Sequence, residues 1–314
     1  MLSRENLIGP WAGLPVAWTE DDEFDEATYR ADVERCCQVG IPGVYTGGTT
    51  GEFYAMDMDE FKAIVRATIE ECHAHHKPAI VGCTCTYTKG ATAKAAFAAE
   101  SGADGIQVAL PFWLEVDDDQ VVPFFKEVTD AAGGLALSIY ETQRAKKTLS
   151  LDQHRAIKEA VPSYLMVKSN ADTIGETESG CAALSEFVNV FVSEGLWHQL
   201  GPLGANGCCS ALVYTNPRIV LDLWQMLRER NWAAMAPVRE SLKRYDTFMN
   251  ERFGTKGFTD TAYDHLQGML AKFLGCGLRS RGPYISATPK DLRDLQQWCR
   301  CHWPEMLQLN SPDV

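Results

Sequence analysis

Short apolar runs alternate along the chain with longer segments in which apolar residues recur every three or four positions. The short runs predict buried strands, and the longer segments predict amphipathic helices, as in residues 57–75, where Phe61, Ile64 and Ile69 share one face. The predicted strands are 14–19, 43–46, 79–83, 105–110, 135–140, 165–168, 188–192 and 207–212. The predicted helices between and after them are 26–38, 57–75, 91–101, 117–131, 152–160, 173–184 and 218–229. This alternation predicts an α/β fold, a (β/α)8 TIM barrel.

The segment after residue 230 again has a helical pattern, with helices predicted at 232–253, 263–274 and 290–302. We therefore expect a barrel over residues 1–230 that carries the active site, and a C-terminal helical extension over residues 231–314 that packs on the barrel. An open doubly wound sheet is the alternative. It is disfavoured because no Gly-x-Gly-x-x-Gly follows the first predicted strand and no P-loop occurs.

Net charge and hydropathy argue against two classes of binding partner, nucleic acids and membranes. The chain has 29 basic and 42 acidic side chains, a formal net charge of −13, which argues against binding to nucleic acid. The first residues are too polar for a signal peptide, and no run reaches the ~18 apolar residues of a membrane span. We expect a cytoplasmic protein with no membrane partner. The group His73, His75 and His76 suits a helix C-terminus better than a metal site, so no metal is expected.

Lys168 ends a short apolar run, Tyr164-Leu165-Met166-Val167-Lys168. Burial disfavours the charged ammonium and lowers the pKa of a lysine, which favours the neutral amine that attacks carbonyl groups. The alternative is a lysine at a strand end whose amine extends into solvent. Neighbouring strand ends favour the first interpretation, because side chains at the C-terminal ends of barrel strands meet in one pocket.

Two other predicted strands end in residues with useful chemistry. The second strand continues into Gly47-Gly48-Thr49-Thr50-Gly51-Glu52, where backbone amides and threonine hydroxyls suit a carboxylate or a phosphate. The fifth strand ends in the phenol of Tyr140. An amine, a phenol and an anion-binding loop are therefore expected to converge.

With these motifs the sequence resembles the dihydrodipicolinate synthase and N-acetylneuraminate lyase superfamily, over nearly the whole chain. The resemblance implies that Lys168 forms a Schiff base with a 2-oxo acid and that Tyr140 moves protons during its formation. It implies that Thr49 and Thr50, in the loop with Gly48, hold the substrate carboxylate, and that Thr49 also relays protons to Tyr140. No cofactor is implied. Homo-oligomers built as dimers of dimers are common in this superfamily and are expected here.

Residues around this core depart from the superfamily pattern. Where members that make dihydrodipicolinate carry a tyrosine pair, this chain has Phe112 and Trp113. Trp113 resembles the hydratase-aldolase branch, and it either stacks on a substrate ring or covers a subunit interface. Arg144 is expected to bind a second carboxylate, although Lys146 and Lys147 compete for this role. Glu141 is expected to contact substrate, with pairing to Arg144 as the alternative.

These features predict a Schiff-base-forming lyase that acts on pyruvate or a longer 2-oxo acid, as an aldolase or a hydratase-aldolase. A dehydratase or deaminase of a 2-keto-3-deoxy sugar acid or of a hydroxyproline-derived substrate is the next alternative, followed by dihydrodipicolinate synthase. The non-enzymatic alternative is a sensor that binds a 2-oxo acid. Lys168, Tyr140 and the threonine loop together argue against a sensor.

Overall fold

A computed structural model, which describes residues 1–309, contains a closed barrel of eight parallel strands in sequence order. This confirms the predicted (β/α)8 barrel. The strands are β1 Gly9–Gly13, β2 Gly43–Thr46, β3 Ala79–Gly82, β4 Gly105–Val108, β5 Ala136–Tyr140, β6 Tyr164–Lys168, β7 Asn189–Phe191 and β8 Ala205–Cys208. All eight are short and almost entirely buried, as expected for a parallel sheet that is covered by helices.

Helices surround the barrel and continue beyond it. Those up to the last barrel helix are α1 Glu26–Gln38, α2 Met58–Ala74, α3 Thr88–Glu100, α4 Asp118–Ala131, α5 Leu151–Ala160, α6 Glu178–Ser185, α7 Trp197–Leu200, α8 Leu212–Thr215 and α9 Pro217–Arg228. The C-terminal helices are α10 Trp232–Phe253, α11 Asp260–Gly268 and α12 Pro289–His302. One hydrophobic core runs through the barrel and these helices, so the division at residue 230 stays a prediction. Within residues 1–309, no helix combines the length and apolar character needed to cross a membrane.

The first and last strands differ from their predicted positions. The apolar pattern predicts the first strand at residues 14–19, but the strand is the glycine-containing segment Gly9–Gly13. Gly9 has a φ of +80°, and a Cβ there would lie 2.6 Å from the ring of Trp224, so only glycine fits this close approach. The eighth strand ends at Cys208, four residues before the predicted end, because the chain turns there into α8.

Two predicted helices also have different bounds. The segment 173–184 is a 3-10 turn, Ile174–Glu176, followed by α6. The predicted helix 263–274 is α11, which begins three residues earlier, at Asp260. This shift places acidic residues at the edge of the barrel mouth, where they become part of the site.

Large side chains fill the lower barrel and leave its upper end open. Trp11, Tyr45, Met166 and Phe191 belong to a buried cluster inside the strands. Gly43 makes room for Trp11, since a Cβ at Gly43 would lie 2.4 Å from that ring. The packed lower layer forms a floor above which the ends of the strands carry the functional side chains.

Candidate active site

Tyr140 and Lys168 are neighbours because β5 and β6 pair in parallel with these two residues in register. Both occupy the last position of their strands, at the C-terminal mouth of the barrel. The Lys168 Nζ lies 4.5 Å from the centre of the Tyr140 ring and 5.3 Å from the centre of the Tyr45 ring. Asn170, two residues after Lys168, donates a 2.9 Å hydrogen bond to the Tyr140 hydroxyl. The predicted pairing of amine and phenol is thus present in the structure.

Lys168 is partly buried, and its amine is held by aromatic faces. Among residues 1–309, no carboxylate forms an ion pair with its Nζ. Aromatic faces attract the ammonium more weakly than a carboxylate would. The amine therefore remains available to a carbonyl group that enters the cavity.

The protonation of Lys168 depends on its two phenols. Burial opposes the charged amine, but the charges of ionised Tyr45, Tyr140, Cys209 and Asp264 favour it, and the net effect raises the pKa of Lys168. This differs from the sequence analysis, which expected burial alone to lower the pKa. Burial also raises the pKa of Tyr45, so the charge of Tyr45 favours the ammonium only in alkaline solution. In neutral solution Tyr45 is uncharged and does not oppose loss of the lysine proton.

The loop after β2 presents Thr49 and Thr50 to the same cavity as Lys168. The expected contact between Gly48 and substrate stays a prediction, and the structure gives this glycine a packing role as well. A Cβ at Gly48 would lie 1.3 Å from the Tyr45 hydroxyl, so this glycine makes room for the phenol beneath the loop. The Tyr45 hydroxyl is buried and has no hydrogen-bond partner among the described residues.

The cavity at the barrel mouth has two connected compartments. The lysine compartment, of about 300 Å³, is lined by Lys168 and by mainly polar side chains that include Thr50, Asn170, Ser210 and Asp264. The aromatic compartment, of about 460 Å³, is lined by Phe53, Tyr54, Leu110, Phe112, Phe258 and Tyr284 together with Arg144. Thr49, Tyr140 and Asp260 line both compartments. A molecule bound to Lys168 can therefore extend past Tyr140 into an apolar space.

The wall of the aromatic compartment is held by edge-to-face ring contacts. The ring centres of Phe53 and Phe112 are 5.9 Å apart, and those of Tyr54 and Tyr284 are 5.0 Å apart. Such pairs stabilise one another and fix ring orientations. Phe112 comes from the loop after β4, whereas Tyr284 comes from the C-terminal segment, so distant parts of the chain form one surface.

Helix α11 adds two carboxyl groups at the mouth. Asp260 forms a 2.9 Å ion pair with Arg144. Asp264, one turn further along, accepts a 2.8 Å hydrogen bond from the Tyr214 hydroxyl, and the nearby Thr50 hydroxyl also favours its charged form. Burial raises the pKa of Asp264 to about 6, although these hydroxyls oppose the rise. Its carboxyl group can therefore gain or lose a proton near neutral pH.

A buried ion pair ties the threonine loop to the same helix. Glu52, in a left-handed conformation with a φ of 52°, accepts hydrogen bonds from Trp18 Nε1 (2.8 Å) and the Arg281 amide (2.8 Å). His265 Nε2 lies 3.3 Å from the Glu52 carboxylate, and its Nδ1 lies 3.1 Å from the Gly277 carbonyl. Burial alone would lower the pKa of His265, but its contacts with Cys276 and Glu52 raise it to about 10. The imidazolium thus fixes the end of the loop.

Two residues predicted to bind substrate lie outside both compartments, and a third lines the cavity but already has a partner. Glu141 is buried away from both compartments, where it accepts a 2.8 Å bond from the Leu149 amide and lies 3.3 Å from His154. Trp113 does not line the cavity. Its side chain is 73% exposed, and Lys146 packs over its ring. Arg144 lines the aromatic compartment as expected, but it is paired with Asp260.

Several residues of the site were not identified from the sequence. Asp260 and Asp264 are four residues apart and so share one face of α11, which is the only local signal that they carry. Phe112 was noted as part of a departure from the superfamily, but it was not distinguished from Trp113. Which of the two adjacent aromatic side chains faces the cavity depends on the path of the loop. Hydrophobic periodicity along the sequence does not predict that path.

The profile of the Dihydrodipicolinate synthetase family matches residues 8–258, which include every strand of the barrel. The chain belongs to the Dihydrodipicolinate synthetase family. This confirms the resemblance drawn from the lysine, the tyrosine and the threonine loop. The match ends before α11, so the acidic face of that helix lies beyond the matched region.

Curated relatives include several kinds of lyase. The chain is 29% identical over 154 residues to the trans-O-hydroxybenzylidenepyruvate hydratase-aldolase of Sphingobium xenophagum, which covers 47% of each protein. It is 29% identical over 149 residues to the N-acetylneuraminate lyase of Escherichia coli, which covers 47% of this chain and 50% of the lyase. The alignments with these two relatives thus span about half of their length.

Solved structures with the same fold superpose over nearly the whole chain. PhdJ bound to a substrate intermediate has a TM-score of 0.85 at 22% identity and covers 99% of each chain. A catalytic lysine mutant of the Ruminococcus gnavus sialic acid aldolase has a TM-score of 0.85 at 14% identity, and covers 98% of this chain and 100% of that one. At these identities the likeness establishes the shared barrel and its C-terminal helices.

Proposed function

We propose that this protein is a Schiff-base-forming hydratase-aldolase that acts on a pyruvate derivative with an aromatic or extended apolar tail. The observation that carries the proposal is the aromatic compartment, which opens from the lysine compartment past Tyr140 and Thr49. The 2-oxo acid would bind at Lys168 and its tail would lie among the rings. The resemblance in sequence to a hydratase-aldolase that acts on a benzylidenepyruvate supports the same choice.

The reaction would begin with attack of the neutral Lys168 amine on the C2 carbonyl of the substrate. The carbinolamine loses water and gives an iminium, while Tyr140 moves the proton that leaves with the hydroxyl group. Tyr140 is suited to this role because Asn170 holds its hydroxyl at the junction of the compartments. Thr49 and Thr50 would hold the carboxylate and so align the carbonyl with the amine.

The iminium would then activate a double bond between C3 and C4 of the substrate. Water adds at C4 and a proton at C3, which gives a hydroxylated iminium. Loss of the C4 hydroxyl proton to Tyr140 then breaks the C3–C4 bond, releases an aldehyde and leaves an enamine on Lys168. Protonation of the enamine at C3 and hydrolysis of the resulting iminium release pyruvate and restore the amine.

A dehydratase of a sugar acid is the second candidate, because the lysine compartment carries Glu176, Asp260 and Asp264. Carboxylates accept hydrogen bonds from substrate hydroxyl groups. The two candidates make different use of the aromatic compartment, which a polyhydroxylated tail would leave poorly matched.

The proposal is tested by borohydride reduction in the presence of pyruvate, benzylidenepyruvate or a 2-keto-3-deoxy sugar acid, followed by peptide mass mapping. We expect an adduct on Lys168 and turnover of the arylidene substrate to pyruvate and an aldehyde. Absence of an adduct with all three compounds would reject the Schiff-base mechanism. Turnover of the sugar acid alone would favour the dehydratase.

The predicted homo-oligomer also stays a proposal. Trp113 and Leu114 are exposed beside the barrel mouth, with 73% and 74% of their surfaces accessible, which is compatible with a surface that another subunit covers. Sedimentation analysis of the protein would distinguish a monomer from a dimer or tetramer.

A further inference from the structure

The carboxyl group of Asp264 faces the compartment in which the proposed reaction takes place. It lines this space with Lys168, Thr49 and Thr50. In the structure it accepts a 2.8 Å hydrogen bond from Tyr214, and the Thr50 hydroxyl lines the same compartment and favours its charged form. Thr50 is one of the two threonines proposed to hold the substrate carboxylate. The same hydroxyl group would therefore serve two carboxyl groups.

Two ionised carboxylates are poorly accommodated beside one hydroxyl donor in a partly buried site. Like charges at short distance force one of the pair to keep its proton, as in other sites where carboxyl groups are adjacent. A protonated carboxyl group has one O–H donor, and a substrate carboxylate is a strong acceptor. Protonation thus converts the repulsion into a hydrogen bond.

We propose that Asp264 contacts the substrate as a neutral carboxylic acid and donates a hydrogen bond to the carboxylate of the bound 2-oxo acid. Substrate binding is then coupled to the uptake of one proton. This inference rests on the proposed Schiff-base function, and it assigns to α11 a direct part in substrate recognition. In the free protein Asp264 accepts a hydrogen bond from Tyr214 and lies in the same compartment as Thr50; in the complex Thr50 would donate to the substrate.

The surroundings of Asp264 allow this change near neutral pH. Burial raises its pKa to about 6, and the hydroxyls of Tyr214 and Thr50 act in the opposite direction. The titratable groups that act on it or share its compartment are Tyr214 on α8, Lys168 on β6, Tyr45 on β2, Tyr140 on β5, Glu176 after β6, Cys209 after β8, and Asp260, Tyr263 and His265 on α11. The positive charge of His265 favours the ionised carboxyl, whereas the negative charge of Asp260 opposes it.

The coupling predicts how affinity changes with pH. Above about pH 6 the free protein carries an ionised Asp264, so each further pH unit weakens binding by about tenfold through this group. Below about pH 6 the group is already protonated and adds no pH dependence. Lys168 has the opposite effect on the pH dependence. Its amine must lose a proton before it attacks, so a higher pH favours imine formation. A variant that cannot titrate at position 264 is therefore needed, and because the charge of Asp264 also raises the pKa of Lys168, the two proteins are compared by how their affinity changes with pH and not by its absolute value.

The test compares the wild-type protein with Asp264→Asn in reductive trapping of pyruvate between about pH 5.5 and about pH 8.5. Asparagine has the shape of the acid and donates a hydrogen bond at every pH. We expect the pyruvate concentration for half-maximal trapping in wild type, relative to the variant, to rise by about tenfold per pH unit above about pH 6. The maximal extent of trapping should change much less.

Asp246→Asn is the matched control. Asp246 is an exposed carboxyl group on α10 whose pKa partial desolvation also raises to about 6, and it lies outside the lysine compartment. This variant should keep the wild-type pH profile. As a second measurement, calorimetric titration of wild type with pyruvate at about pH 7, in buffers of different ionisation heat, should give close to one more proton taken up than in Asp264→Asn.

The possible outcomes separate the two proposals. Adducts on Lys168 with parallel pH profiles in wild type and Asp264→Asn, and equal proton uptake, would overturn the role of Asp264 and leave the Schiff-base function intact. Absence of any Lys168 adduct at every pH in both proteins would overturn the Schiff-base function itself. Diverging profiles with an unchanged Asp246→Asn control would support the role of Asp264.

Discussion

The lysine compartment and the aromatic compartment share Thr49, Tyr140 and Asp260 but differ in how the rest of each is built. Most residues of the lysine compartment follow the ends of barrel strands, where hydrogen-bonded neighbours fix their positions, as with Tyr140 and Lys168. The rings of the aromatic compartment come from loops and from the C-terminal segment. Changes to those rings leave the strand ends in place, so the tail-binding space can vary while the position of the amine is preserved.

Lys168→Ala tests the lysine compartment most severely. We expect complete loss of turnover and of borohydride-trapped adduct, because within residues 1–309 no other lysine lines either compartment. Peptide mapping after reduction is the measurement. Lys94→Ala is the control, since desolvation lowers the pKa of Lys94 but its side chain does not line the lysine compartment. A trapped adduct in Lys168→Ala would show that the imine forms elsewhere.

Tyr140→Phe separates imine formation from the proton transfers that follow. We expect kcat to fall by about 100- to 10,000-fold, the usual contribution of a positioned acid–base group, while a pyruvate adduct still accumulates on Lys168, more slowly than in wild type because Tyr140 also moves a proton during imine formation. Steady-state kinetics and single-turnover trapping measure the two effects. Tyr284→Phe removes a phenol from the aromatic compartment instead and should change kcat little. Equal losses in both variants would contradict a specific proton transfer by Tyr140.

Phe112→Ala and Trp113→Ala test the aromatic compartment at adjacent positions. Phe112 lines the cavity, whereas Trp113 is 73% exposed outside it. We expect Phe112→Ala to raise KM for an arylidene pyruvate on the order of tenfold, through lost burial and ring contact, with little change for pyruvate exchange. Trp113→Ala should leave both values near those of wild type. The reverse order would mean that Trp113 turns into the cavity when substrate binds.

Asp260→Asn tests the boundary between the compartments and has the smallest expected effect. Removing the partner of Arg144 frees its guanidinium for substrate tails that end in a carboxylate, so KM for such tails should fall about two- to fivefold, given the modest energy of an exposed ion pair. KM for uncharged tails should not fall. Asp130→Asn, which removes the partner of Lys126 on α4, is the control and should change neither value.

The sequence predicted the barrel and the chemical core because both depend on local pattern and on strand ends. Lys168 and Tyr140 are the last residues of predicted strands, and Thr49 lies just after another. Parallel pairing of the strands then brings them together. The role of Asp264 could not be predicted in this way. It depends on how α11 packs over a barrel mouth whose threonine loop lies more than 200 residues earlier in the chain.

Glu141 and Gly48 illustrate a second limit. Glu141 directly follows Tyr140, but strand geometry sends alternate side chains to opposite faces. Glu141 consequently faces α5 and contacts His154 rather than the cavity. Gly48 has a packing role that its position in the loop does not reveal, because its lack of a side chain accommodates the Tyr45 hydroxyl. Spacing along the chain identified the neighbourhood of the site but not the direction in which each residue points.

The ion pair between Glu52 and His265 has a consequence for the order in which the protein becomes active during its synthesis. A ribosome that has completed β8 has already made Lys168, Tyr140 and both threonines. The loop that carries those threonines still lacks the imidazolium that fixes its end. The barrel can therefore close around a lysine that binds substrate poorly, and full affinity should come only after residue 265 has left the exit tunnel and docked.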